Sequence, residues 1–255
     1  MKVDTHPHIV AADIDRWKSN TEKFLPVFIA DIKAGKTQGG RRYFQLFEEY
    51  RKQACVQYLE GAEPEDVLRM LLKAAKAFQR MLTSPDLSPG YVTFVDYEVL
   101  LYPVLAGDMD TARQLAADYA PRAPGANDSK YHVAKSQALK SALLGNQPAA
   151  VAALDQLSQE DEFPGTRAST ELMRLVLAGA ADIDGAVRAA TEEFHKLCAG
   201  ELAGMPQSAL FIEGLGLVRL YGLLHGAEAS LTFEDSVLPV ELLEPARAVK
   251  VDLGL

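Results

Sequence analysis

The sequence predicts an all-α protein of stacked antiparallel helix pairs, and three observations carry that expectation. Apolar residues recur every three or four positions through most of the 255 residues, whereas sustained apolar–polar alternation of the kind a half-buried strand needs is almost absent. Proline and glycine fall at the edges of the periodic stretches, where helices start and stop. A glycine-containing corner also returns at Gly107, Gly145 and Gly179, a spacing near that of tetratricopeptide-like helix pairs, each of which buries its apolar face against its neighbours.

In chain order, the first periodic stretch runs from about Ile14 to Ile32 and contains Pro26, which removes a backbone donor and is expected to kink or split it. Tyr43, Phe47, Tyr50 and Ala54 share one face of a second helix. Val67, Leu68, Leu71, Leu72, Ala75, Phe78 and Leu82 form the clearest stripe, preceded by Glu63-Pro64-Glu65-Asp66. There a proline at the first helical position loses no needed bond, and the carboxylates meet the positive end of the helix dipole. Asn146-Gln147-Pro148 and Met205-Pro206 repeat that device. Ala112, Leu115, Ala116 and Tyr119 predict a further helix, Ala186, Ala190, Phe194 and Leu197 another, and Leu210, Phe211, Val218, Tyr221 and Leu224 a last one. Gly107, Gly145 and Gly226 are expected to stop helices in the left-handed conformation. The stretches 84–90 and 121–128, rich in Pro, Gly, Ser and Asp, are loops. They divide one helical domain over 1–255 into N-terminal helices (about 11–83), repeat-like pairs (about 92–225) and a short C-terminal segment (232–255), because the flanking helices are too apolar to stand apart.

Composition narrows the function. A formal net charge of −9 argues against nucleic-acid binding, which needs a clustered Lys/Arg surface, and suits a basic protein partner. No stretch reaches the roughly 18–20 uncharged apolar residues of a membrane span. The first residues lack the basic start and apolar run of a secretion signal, so a cytoplasmic location is expected, with Cys55 and Cys198 as buried free thiols.

Catalytic signatures are sparse. Asp4-Thr5-His6-Pro7-His8 is the sharpest candidate, since a His-x-His on a strand aims both imidazoles the same way and can hold a metal. It resembles the first strand of amidohydrolase-type metalloenzymes, but their barrel demands strands and further ligands that this sequence does not supply. A metal-dependent hydrolase using His6 and His8 is therefore the least favoured reading, and no catalytic, cofactor or metal residues are assigned. His132, His195 and His225 read as isolated residues in helical settings. Gly35-Lys36-Thr37 lacks the earlier glycine and the strand of a phosphate loop. The run Glu160-Asp161-Glu162-Phe163 joins dense negative charge to an aromatic, a combination that anchors a basic partner.

From about Tyr91 to Leu154 the order of features resembles the immunity protein 49 family, all-helical bacterial proteins that neutralise partner toxins. The resemblance rests on Tyr97-Glu98-Val99-Leu100-Leu101-Tyr102-Pro103-Val104-Leu105-Ala106-Gly107-Asp108 with its following Ala-rich helix, and on Ala138-Leu139-Lys140-Ser141-Ala142-Leu143-Leu144-Gly145-Asn146. Val237-Leu238-Pro239-Val240-Glu241-Leu242-Leu243 is similar to the family's closing segment. The resemblance implies a cytoplasmic antitoxin that occludes a cognate protein toxin without a cofactor; a generic tetratricopeptide-like scaffold shares much of the pattern. It carries over no individual toxin-contacting residue.

Overall fold

Ten α-helices and no strand are found among the residues described by the computed structural model, which are 6–87, 92–121, 123–125, 128–157, 166–226, 229–244, 249, 251–253 and 255. The helices are α1 (Ala11–Lys33), α2 (Arg41–Glu60), α3 (Pro64–Leu82), α4 (Leu101–Leu105), α5 (Met109–Asp118), α6 (Lys130–Leu143), α7 (Gln147–Asp155), α8 (Arg167–Ala178), α9 (Asp184–Ala199) and α10 (Ile212–His225). The expected all-α class is the observed one. A single cluster of buried apolar side chains extends from Ile9 to Val249.

Several helix boundaries have a local cause. Pro64 opens α3, with Glu65 and Asp66 in its first turn. Asp108 and Asn146 cap α5 and α7 by accepting the Thr111 and Ala149 amides at 3.0 and 3.2 Å, bonds of a kind worth about 1 kcal/mol each. Helix corners at Gly107, Gly145 and Gly179 have φ of 72°, 78° and 70°, so the anticipated repeat corresponds to three real pairs, α4/α5, α6/α7 and α8/α9. Gly179 is doubly constrained: besides its φ, a Cβ there would lie 2.9 Å from His225, whose Nε2 donates to the Val176 carbonyl at 2.7 Å.

Two expectations are corrected. Pro26 does not split the first helix, which runs unbroken from Ala11 to Lys33. Pro26 and Glu22, whose carbonyl loses its partner, are both exposed, so water satisfies what the missing N–H leaves open. Met205-Pro206 opens a 3-10 turn, Pro206–Ala209, and α10 starts only at Ile212. A further 3-10 turn, Phe94–Leu100, leads into α4. The inner face of α9 is Val187, Ala190, Thr191, Phe194 and Cys198; Ala190 and Phe194 are buried as expected, whereas Ala186 and Leu197 are only partly so.

α2 and α3 form the tightest hairpin. Phe47 packs edge-on against Phe78 at 5.2 Å and stacks with Tyr102 of α4 at 6.1 Å. α1 lies outermost against α2 through Ile14, Trp17, Thr21, Phe28 and Ile32. α10 crosses both α4 and α8 and closes the stack. That crossing depends on Gly216, where a Cβ would come 2.6 Å from the Leu101 Cβ, an atom that a rotamer change cannot move. Gly216→Ala is expected to destabilise by about 1–3 kcal/mol, since the overpacking outweighs the roughly 1 kcal/mol gained in helix propensity. Urea unfolding checks this, and an unchanged midpoint would show that α10 shifts freely.

Candidate functional site

Among the described residues, three places bring chemistry-bearing side chains together. The first is a chamber of about 210 Å³ walled by α2, the 3-10 turn Phe94–Leu100, α6 and α8–α10. Lys135, 1% exposed, projects into it from α6. Its ammonium donates to Ser169 Oγ at 2.6 Å, Glu213 Oε1 at 2.7 Å and Tyr97 Oη at 3.4 Å, and it lies over the Tyr97 and Tyr131 rings at 5.7 and 5.9 Å. All three N–H donors are thereby used. Such an ammonium is a strut between helices, since nucleophilic attack would require a free lone pair.

Across the chamber Arg51 pairs with Glu48 at 2.6 Å, and Tyr102 donates to Glu98 Oε1 at 3.2 Å. The surface Glu98 retains faces the chamber rather than bulk water, so burial raises its pKa against the pull of Arg51. The His132 ring lies 3.9 Å from the Tyr131 ring, tilted by 38°. Burial, then the Lys135 charge, lower its pKa to about 4, which keeps the ring neutral. Gln207 Oε1 is buried without a partner among the described residues. Cys55, at the chamber wall, is a free thiol pushed up to about 12 by burial. Cys198 is likewise free, buried and raised to about 12, as the sequence predicts for buried thiols. Neither is a ready nucleophile.

The second place lies at the amino-terminal edge. His6 and His8 do not act as a pair: their rings are 6.1 Å apart at 72°, and His6 is buried at 7% exposure. His6 Nδ1 accepts the His8 amide at 3.3 Å. His8 Nε2 instead meets His195 Nδ1 at 2.8 Å, and His195 Nε2 lies 2.9 and 3.0 Å from the two Asp235 oxygens. His195 is therefore not the isolated residue its sequence setting suggests. Its partners stand 187 and 40 residues away, and no local pattern announces such a meeting. Among the described residues, no group of three or more His, Cys, Asp or Glu side chains is arranged to hold a metal.

The third place is the outer face of α1. Phe24 and Val27, 38% and 50% exposed, stand one turn apart. Phe24 stacks on Phe28 at 6.1 Å with nearly parallel planes, and the Lys23 ammonium lies 5.2 Å from the Phe24 ring. Beneath, Arg42 covers Phe28 and pairs with Asp31 at 2.7 Å. Thr21 and Lys52 satisfy the buried Glu49 carboxylate, each at 2.6 Å. The ridge is thus an aromatic anchor on a braced helix. The helical stretch itself was legible in the sequence; the outward Phe24 and Val27 become apparent only once α2 is known to cover the opposite side. The acidic run Glu160, Asp161, Glu162 and Phe163 lies outside the described residues.

No protein-family model, curated protein or solved structure matches this chain. Among the described residues, no helix is long and apolar enough to cross a membrane.

Proposed function

We propose that this protein acts by binding another protein, and specifically that it is an immunity protein which occludes a basic bacterial toxin. The observation that carries the reading is the exposed Phe24–Val27 ridge on α1, because rigid aromatic anchors supply most of the energy in protein interfaces. Support comes also from the net charge of −9, which speeds encounter with a positive partner, and from the resemblance over residues 91–154. The glycine corners at Gly107, Gly145 and Gly179 favour a second reading, a tetratricopeptide-like scaffold for a different partner.

Co-expression with the toxin-like product of a neighbouring gene separates the two. The immunity reading expects rescued growth and a co-purifying one-to-one complex, and failure of both removes it. In that complex, Phe24→Ala with Val27→Ser is expected to weaken binding by roughly 30-fold or more, measured by titration calorimetry. The free protein should stay folded and lose about 0.5–1.5 kcal/mol, the worth of the Phe24–Phe28 stack. Undiminished affinity would move the interface away from α1.

A further inference from the structure

The histidine chain at the amino-terminal edge ties together three elements: the segment before α1, helix α9, and the loop before residue 240. We propose that His8 and His195 form an open two-histidine site for a borderline divalent cation, with zinc as the reference ion, and that Asp235 is its positioning carboxylate.

The geometry gives three reasons. First, both Asp235 oxygens lie within 3.0 Å of His195 Nε2, and Asp235 Oδ1 also accepts the Val237 amide at 2.9 Å. A carboxylate so held keeps the proton on Nε2 and leaves the Nδ1 lone pair free, which is the arrangement that orients and strengthens metal-bound histidines. Second, that lone pair points at His8 Nε2, only 2.8 Å distant. A single proton bridges the two nitrogens. Zinc–nitrogen bonds of about 2.0–2.1 Å at a tetrahedral angle place two imidazole nitrogens roughly 3.3 Å apart, so a cation takes the place of the bridging proton when the rings part by about half an ångström and turn towards it, the proton passing through water to His8 Nδ1. Third, His8 is able to make that movement: it is half-buried and belongs to a non-helical segment, anchored by the contact of its amide with His6.

Imidazole donors suit zinc, copper and nickel rather than magnesium or calcium. With two protein donors, the remaining positions belong to water or to a donor brought by a partner, so the bound cation is exchangeable. When loaded, the cation staples the amino-terminal segment onto α9. The site is independent of the α1 ridge.

The test is titration of the tag-free full chain with zinc chloride at pH 7.5, followed by calorimetry and thermal unfolding. One equivalent is expected to bind, and zinc at about 100 times its Kd should raise Tm by roughly 5–10 °C. His8→Ala and His195→Gln should each abolish that shift while the metal-free circular dichroism stays unchanged. Asp235→Asn should weaken binding about 10–100-fold, the signature of a positioning group. Absence of binding by the native chain, or binding that survives in the His8→Ala/His195→Gln double variant, would overturn the assignment. Undiminished affinity in Asp235→Asn would strip Asp235 of its role.

Discussion

Lys135→Met is expected to lower the stability of the fold by about 3–5 kcal/mol, the usual cost of removing one partner from a buried ion pair. Methionine approximates the length of lysine, so the loss comes from charge and hydrogen bonding more than from volume. The Glu213 carboxylate, 2.7 Å from the ammonium and with only 12% of its side chain exposed, would be left without its counter-charge. Ser169 retains its bond to the Thr166 carbonyl, and Tyr97 would lose the cation over its ring. Removing both charges is a different matter: Lys135→Met with Glu213→Leu should recover most of the loss, because a matched apolar pair avoids desolvating two ions. Urea unfolding of the two single variants and the double gives the coupling energy. A Lys135→Met protein within about 1 kcal/mol of the parent would mean that water reaches the Glu213 carboxylate and that the node is not a strut.

Acidification is expected to destabilise the protein progressively through the same chamber. Burial and the Lys135 charge depress the His132 pKa to about 4, whereas the unfolded chain takes up that proton near pH 6.5. The native state therefore binds fewer protons than the unfolded state between those values. The contribution is complete above about pH 6.5 and is lost progressively as pH falls towards 4. His6 and His8 are also held below 6.5, chiefly by burial, and act in the same direction. Glu98 and Asp96 are raised by burial and act oppositely, since the native state retains protons that the unfolded chain sheds. Allowing for the partial exposure of His132, its share between pH 7.5 and 5 is about 1–2 kcal/mol, or roughly 2–8 °C in Tm at this chain length. His132→Gln should flatten that part of the Tm–pH profile. A parallel profile in the variant would mean that another group dominates.

Both effects arise at a site the sequence hardly signals. Lys135 lies in the first half of an ordinary amphipathic helix, and nothing near it distinguishes it from a solvated lysine. Ser169, Glu213 and Tyr97 come from α8, α10 and the 3-10 turn, 34, 78 and 38 residues away. The packing of α10 across α4 and α8 excludes water there and turns four commonplace polar residues into one buried network. The histidine chain follows the same logic. His6-Pro7-His8 draws attention as a pair, yet the nitrogen that faces His8 belongs to His195 on α9, and the carboxylate that orients it belongs to a loop 40 residues further on.

What the sequence determined by itself is whatever local chemistry controls. The helical period, Pro64 at the start of α3, the Asp108 and Asn146 caps and the left-handed glycines at 107, 145 and 179 each act within a few residues. Their free energies are decided before any distant contact forms. The tertiary structure alone decided which side of α1 remains open, where water is excluded around Lys135 and Glu213, and which imidazole faces His8. These outcomes depend on the crossing of helices remote in sequence, and desolvation and hydrogen-bond geometry are properties of that assembled packing rather than of any segment within it.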